Sequence, residues 1–425
     1  MRRRVVVTGL GWVTPLGAEV ETVWQRLLEG HSAVGPITLF DASSFPVRIA
    51  AEVRDWDISD VGEDPDRWED EPRQTVFAAA AATKAVRSAG LEDGGFDPLR
   101  FGVSLGCGET YPNFDRFGRL MAAAVKGGHF ETEMFLNKSL TNGYLNGEVP
   151  WEPNLPASYL AGMFDAQGPN ANYTAACVSS SHATGIAAES IRRGEADLML
   201  AGGAHSMIHP FGLTGFHRLS VLSTRNDRKA ARPFDLNRDG FVMGEGAGIV
   251  VLEELDHARR RGAKIWGEFT GYGSAQNAFR ITDSHPEGRG ISDCVAQALD
   301  EARLNVDQID YINAHGTGTV ENDRVETLGL KKVFGQRAYQ IPLSSTKSMI
   351  GHLTTGCGAI DVIVCLLSIR DGVVHPTINY ETPDPDCDLD CVPNTAREVD
   401  CRHVLSTSFG FGGQNAAIIV SRYCA

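Results

Sequence analysis

The chain has 425 residues, 42% of them hydrophobic and 22% charged, and a formal net charge of -15. That length exceeds what one hydrophobic core usually serves, so two domains or two halves sharing one interface are expected. The acidic balance excludes a general nucleic-acid binder, which would need a basic footprint, and no apolar run reaches the roughly eighteen residues of a membrane-spanning helix.

In chain order, the N-terminus "MRRRVVVTGLGWVTPLG" opens with a β-branched run that breaks into glycine and proline. It is too short for a signal-peptide core, so a cytoplasmic protein is expected. Short apolar strands then alternate with Ala-rich amphipathic segments, the pattern of an α/β architecture. Strands are expected at "RRVVVTGLG", "FGVSLGCG", "ADLMLAGGA", "GAGIVVLEEL", "IDYINAHGTGT", "IPLSSTK" and "NAAIIVSRY". Helices are expected over Gln74–Ala89, Ser179–Arg193, Ile291–Ala302, Asp323–Val333 and Gly356–Arg370. The acidic stretch "DWDISDVGEDPDRWEDEP" reads as a solvated loop. "RDGFVMGEGAGIVVLEEL" and "STSFGFGGQNAAIIVSRY" each read as a glycine turn followed by an apolar strand, a weak internal repeat that places a boundary near residue 265.

Nine scattered cysteines suggest reduced thiols rather than a disulfide framework. Cys387, Cys391 and Cys401 match no usual zinc spacing and read as solvent-facing loop thiols. Cys177, in "TAACVSSSHATG", differs from these: small residues precede it and an Ala-rich helix follows. A nucleophilic cysteine gains from the positive partial charge of a helix N-terminus, and the small residues permit the tight strand-to-helix turn of a nucleophile elbow. Burial as a helix-packing residue is the alternative.

Two histidines share a strand-end, glycine-loop setting. His315 closes an apolar strand in "INAHGTGT", with Glu326 on the helix that follows; His352 stands in "STKSMIGH", five residues after Lys347. His205, His209 and His217 lack that setting and read as ordinary polar packing. Two imidazoles beside a thiol make an oxyanion site or an acid/base pair, and also fit a Cys-His hydrolase.

The Cys177 segment, "DGFVMGEGAG", "HGTGT", "STKSMIGH" and "SFGFGGQN" together resemble, in order and separation, the elongating β-ketoacyl-ACP synthases of the thiolase fold. The resemblance implies an α/β fold of two similar halves, 1–265 and 266–425, in a five-layer α-β-α-β-α sandwich, and a homodimer or a heterodimer with a related ketosynthase or chain-length-factor subunit. It further implies that Cys177 takes an acyl chain from an acyl carrier protein, and that His315 and His352 promote decarboxylation of a malonyl thioester. Lys347 with Glu326 would tune the histidines, and the backbone N–H groups of Cys177 and Phe411 would form an oxyanion hole. Phe409 and Phe411 would gate the acyl pocket, and Thr317 and Thr319 would bind the pantetheine arm. No metal, cofactor, nucleic acid or membrane is implied; the substrates ride on the carrier's phosphopantetheine.

The same residues rank the alternatives. A thiolase would need a second cysteine near the C-terminal glycine turn, an initiating synthase an asparagine in place of His352, and a non-catalytic chain-length-determining partner would lack Cys177. Four features depart from the family: Gln414 where threonine is common, Arg280 where histidine is common, the long stretch Asn137–Gly162, and acidic "DPDRWEDEPRQ" where relatives are basic and meet the carrier. Docking is then expected to fall to other groups, with Arg218 and Arg225 as candidates.

Overall fold

The computed structural model describes residues 2–108, 113–141 and 149–424. Ten strands form the main sheet: β1 (Val5–Val13), β2 (Phe101–Gly106), β3 (Asn170–Tyr173), β4 (Leu198–His205), β5 (Gly246–Glu254), β6 (Gly267–Gln276), β7 (Tyr311–Asn313), β8 (Leu343–Ser344), β9 (His403–Phe409) and β10 (Gln414–Ser421). Their spatial order is β8-β7-β9-β10-β6-β1-β5-β4-β2-β3. The first five strands and the last five repeat one topology. In each set the first strand pairs antiparallel with the fifth and the fifth antiparallel with the fourth; the second then runs parallel to both the fourth and the third. Among the described residues, the sheet pairs Val6↔Glu268 and Val7↔Gly267 join the sets, along β1 and β6.

The five principal helices complete the layers: α1 (Arg73–Ser88), α2 (Ser179–Arg192), α3 (Arg289–Ala302), α4 (Val320–Phe334) and α5 (Cys357–Asp371). α1 packs on the outer face of β1 and β5, and α3 on that of β6 and β10, with α4 against α3. α2 and α5 touch each other and both halves of the sheet, so they form the middle layer of an α-β-α-β-α sandwich. The duplication extends to small detail. Both first strands have a register shift, before Gly9 in β1 and before Gly271 in β6. A Cβ at either glycine would lie 2.1 Å from the Ala85 carbonyl oxygen or 2.3 Å from that of Ala298, so each absence of a side chain seats the outer helix directly on the strand. The two segments of the weak sequence repeat end as β5 and β10, which hold corresponding places.

Three readings are corrected. Cys387, Cys391 and Cys401 are buried, because the loops that carry them fold back over the second half's core and middle layer. The acidic stretch is not merely solvated: Ile58, Val61 and Trp68 bury their side chains and pin it to α1. The helix after His315 starts at Val320, three residues earlier than expected, because the Thr319 hydroxyl accepts from the Asn322 N–H. In the long stretch before Cys177, helices Thr132–Thr141 and Leu155–Met163 are seen, while residues 142–148 lie outside the described residues.

α2 and α5 cross at backbone distance. A Cβ on Gly358 would fall 2.0 Å from Ser181 Oγ, and Ser180 Oγ accepts from the Ala359 N–H at 3.3 Å. Gly358→Val should therefore cost about 1–3 kcal/mol or more by overpacking. Gly118, on the helix Phe114–Ala123 with open space around it, should stabilise by about 0.5–1 kcal/mol when changed to Ala. Urea midpoints of the two variants check both signs.

Candidate active site

The chain leaves β3, turns through a short 3-10 segment, Ala176–Val178, and enters α2. Ala176 holds φ +47, an uncommon value for a non-glycine residue, and this bend presents Cys177 at the helix entrance. The Ser179 hydroxyl closes the bend by accepting from the Ala175 N–H at 2.8 Å and donating to the Ala176 carbonyl at 2.7 Å. A second copy of this turn, Thr354–Gly356, precedes α5. There Thr354 has φ +30, and Thr355 stands in the place of Cys177 and donates its hydroxyl to the Ala204 carbonyl at 2.6 Å.

His352 lies just before this second turn. Its N–H donates to the Val242 carbonyl at 2.7 Å, and its carbonyl accepts from the Gly244 N–H at 3.0 Å. The Phe241 ring stands edge-on to the imidazole with centroids 4.9 Å apart. "DGFVMGEG" thus serves as a backbone splint for His352. His315, at the end of β7, is fixed by its backbone: Glu326 accepts from the N–H groups of His315 and Gly316, both at 2.8 Å, and from the Thr407 hydroxyl at 2.8 Å.

These turns bring Cys177, His315 and His352 together, with one nitrogen or sulfur atom of each within 4.8 Å of the others. His352 Nε2 is 3.0 Å from Cys177 Sγ, and the two imidazole centroids are 5.3 Å apart. Nδ1 of both histidines is buried without a hydrogen-bond partner. Burial holds both imidazoles well below their ordinary pKa, and the Lys347 charge pushes in the same direction. Both are neutral at pH 7 and can act as hydrogen-bond donors.

The side chain that Lys347 touches is Asp361, while Glu326 also favours the lysine charge from farther off. The Lys347 ammonium contacts Asp361 Oδ2 at 3.1 Å, and Thr346 donates to the other oxygen of that carboxylate at 2.6 Å. Burial opposes the lysine charge, but Asp361 more than restores it and keeps the pKa above the ordinary value. Glu326 holds the His315 loop, and burial pushes its carboxyl up to about 7. The sequence reading missed Asp361, whose only signal is one acid inside the apolar "CGAIDVIVCLL". His205 was also undervalued: it is buried, 2.5 Å from the Thr354 hydroxyl, and is one of the groups that lower the His352 pKa.

A cavity of about 290 Å³ descends to the cluster, with Cys177, His315 and His352 in its wall together with Thr317, Thr319, Phe409, Gly410 and Phe411. Phe409 is buried edge-on to His315, while Phe411 is only half-buried. The turn between them lies against the nucleophile bend: a Cβ on Gly410 would sit 3.1 Å from the Ala175 carbonyl oxygen and 3.4 Å from Cys177 N. The Thr317 and Thr319 hydroxyls are 2.9 Å apart. Gln414 begins β10, and its backbone carbonyl accepts from the Gly410 N–H at 2.8 Å. Arg218 is exposed next to Leu219 at the cavity mouth, and Arg225 lies 3.7 Å from the Asp239 carboxylate.

A buried thiol at a helix entrance, two neutral imidazoles and a lined channel define a class of enzyme that moves acyl groups through a covalent thioester. Residues 2–258 match the beta-ketoacyl synthase N-terminal domain and residues 266–381 the C-terminal domain. The chain is 43% identical over 427 residues to a 3-oxoacyl-[acyl-carrier-protein] synthase 2 of Coxiella burnetii, with 99% of each chain covered. It is 40% identical over 425 residues to the tetracenomycin polyketide synthase ketoacyl synthase alpha subunit of Streptomyces glaucescens, covering 99% of this chain and 97% of that one. A solved complex of a type II PKS acyl-carrier protein with its ketosynthase, bound to the hexaketide, superimposes with a TM-score of 0.87 at 33% identity over 100% of both chains. The chain belongs to the β-ketoacyl synthase family of condensing enzymes.

Neutral buried histidines couple stability to pH. Unfolded imidazoles take up protons below about pH 6.5, whereas the folded pair does not, so each withdraws up to about 1.4 kcal/mol per pH unit as pH falls below that value. The double variant His315→Asn, His352→Asn should show a shallower loss of urea midpoint between pH 7 and pH 5 than the parent; equal slopes would contradict the neutral assignment. Asp361→Asn, which leaves Lys347 buried and unpaired, should cost about 3–5 kcal/mol in the same assay.

Proposed function

We propose that the chain is a β-ketoacyl-acyl-carrier-protein synthase that extends a carrier-bound acyl chain by decarboxylative Claisen condensation. The observation that carries this reading is the convergence of Cys177 and two neutral imidazoles at one cavity wall. The Cys177 sulfur attacks the carbonyl carbon of an acyl thioester; the carrier thiol leaves, taking up the proton that cysteine gives up. Malonyl thioester then enters, and His315 and His352 donate hydrogen bonds to its thioester oxygen as carbon dioxide departs. The resulting enolate carbon attacks the acyl-cysteine carbonyl, a carbon–carbon bond forms, and the Cys177 sulfur leaves. The backbone N–H groups of Cys177 and Phe411 serve the oxyanion of the acyl-transfer steps, Phe409 and Phe411 gate the chain, and Thr317 and Thr319 hold the pantetheine arm. The chemistry requires no resident metal or cofactor.

The Cys-His hydrolase reading is weaker because such a base is oriented by a third group, and His352 Nδ1 has none. A purely chain-length-determining role leaves the Cys177 bend without a purpose. The partner is an acyl carrier protein, as in the solved ketosynthase complex. The functional unit is a dimer, either of two copies or with a related subunit, as the alpha-subunit designation of the Streptomyces glaucescens relative suggests. The two halves, 1–265 and 266–425, work as one body. A cytoplasmic location accords with reduced thiols. The pathway favoured is specialised polyketide or unusual fatty-acyl synthesis, on the departures at Arg280, Gln414 and the acidic stretch.

Cys177→Ala should abolish self-acylation by acyl carrier protein, read by intact-protein mass spectrometry; acylation that survives would reject the assignment. Cys177→Gln should keep carbon dioxide release from malonyl carrier protein, because that half-reaction uses the imidazoles and not the sulfur. Absence of both activities in the unmodified protein, alone and with a related subunit, would favour the non-catalytic role.

A further inference from the structure

One thiol and two imidazoles that converge in a buried wall are also a set of metal ligands. Among the described residues, Cys177, His315 and His352 are the one group of cysteine, histidine or carboxylate side chains whose ligand atoms come together in this way, all within 4.8 Å of one another. Zinc takes thiolate sulfur at about 2.3 Å and imidazole nitrogen at about 2.0–2.1 Å in a tetrahedron, which sets the ligand atoms roughly 3.3–3.6 Å apart. The 3.0 Å between His352 Nε2 and Cys177 Sγ and the 4.8 Å bound bracket that spacing, so small side-chain rotations complete it. Sulfur with two nitrogens suits zinc, whereas magnesium and calcium take oxygen. Both imidazoles are held neutral, the form that binds a metal. Access exists as well: the cavity of about 290 Å³ reaches all three groups, and its lining includes Asp239, Asp283 and Glu321 but no lysine or arginine among the described residues. An entering cation therefore meets no basic barrier.

We propose that Cys177, His315 and His352 together bind one zinc ion, and that zinc is a reversible inhibitor of this protein. The site stands on the geometry; the inhibition rests on the condensing reaction proposed above. As the sulfur–zinc bond forms, the thiol proton passes to solvent, and each imidazole turns a nitrogen lone pair to the metal while its proton resides on the other ring nitrogen. The bound sulfur can no longer attack an acyl thioester, and the imidazoles no longer present N–H groups to a thioester oxygen. Reversibility has a structural cause. A metal-bound histidine usually donates its other N–H to a carboxylate, a carbonyl or water, and such a partner is worth about 10–100-fold in affinity. Nδ1 of neither histidine has one. The Lys347 charge, which already acts on both imidazoles, opposes a dication too, less what Asp361 offsets. Zinc is thus held less firmly here than in a resident zinc centre.

Cobalt(II) is the spectroscopic probe for this site. Titrated into the full chain after treatment with chelator, it should bind one ion per chain, with the strong visible absorption of a tetrahedral ion and a thiolate-to-metal charge-transfer band, and zinc should displace it. Cys177→Ser should remove the charge-transfer band, and His315→Asn and His352→Asn should each weaken cobalt binding by more than about tenfold. Cys424→Ser, which removes the exposed thiol, should change neither the stoichiometry nor the activity. A measurement that needs no variant is alkylation of Cys177 by iodoacetamide, followed on its peptide by mass spectrometry: zinc should slow it at least about tenfold by withholding the thiolate, and magnesium should not. Self-acylation from a small acyl-pantetheine thioester should fall in step with zinc occupancy and return on addition of EDTA. A charge-transfer band that persists in Cys177→Ser, an octahedral cobalt spectrum, or equal protection by magnesium would overturn the proposal. The expected cobalt signature in a protein that neither self-acylates nor releases carbon dioxide from malonyl carrier protein would uphold the site while rejecting the condensing reaction. Normal condensation with no cobalt signature would reject the zinc site alone.

Discussion

Two helices that cross with only serine side chains between their backbones determine where the thiol and His352 stand. α2 carries the bend of Cys177 at its start, α5 follows His352 by five residues, and their contact at Ser180, Ser181 and Gly358 leaves no slack along the seam. Each helix also touches both halves of the sheet, so the distance between the thiol and the imidazoles is inherited from the thickness of the middle layer. A 3.0 Å contact between residues 175 positions apart in sequence thereby becomes a property of core packing. The loops need only supply backbone fixation, which "DGFVMGEG" gives to His352 and Glu326 gives to His315.

The electrostatics follow from that burial. A charged imidazole would have to leave water with no anion at Nδ1 to meet it, and Lys347 adds a repulsive charge from behind. Holding the lysine charge in turn requires Asp361, which occupies the one polar position in the middle of α5. The arrangement is layered: an acid fixes a base, the base keeps two imidazoles neutral, and the neutral imidazoles offer N–H groups to a developing oxyanion. Preorganised donors in a dry site stabilise such charge more strongly than water can.

What the sequence disclosed depended on whether the governing constraint was local. β1, β4, β5 and β10 were legible because β-branched runs bounded by turns reflect strands buried on both faces. β6 was missed because Gly271 and Gly273 interrupt its apolar pattern, and those glycines exist to admit α3, a partner some twenty residues away. β3, "NANY", is too polar and short to announce itself. The convergence of Cys177, His315 and His352 was legible because glycines frame them and the motif order is specific. Asp361, the burial of Cys387 and Cys391, and the role of His205 were hidden because each is decided by a side chain distant in sequence.

The second bend, at Thr354–Gly356, shows what became of the other copy of the nucleophile's position. Thr355 points its hydroxyl into the Ala204 carbonyl and is wholly buried away from the cavity, while Thr354 engages His205. A doubled fold offers two places to mount an attacking atom, yet the channel opens on only one of them. The unopened place has become a keystone, locking β4 of the first half to the helix of the second. The division of labour between the halves is therefore one of outlook as much as of residue type: the first bend faces a substrate, and the second faces its own twin.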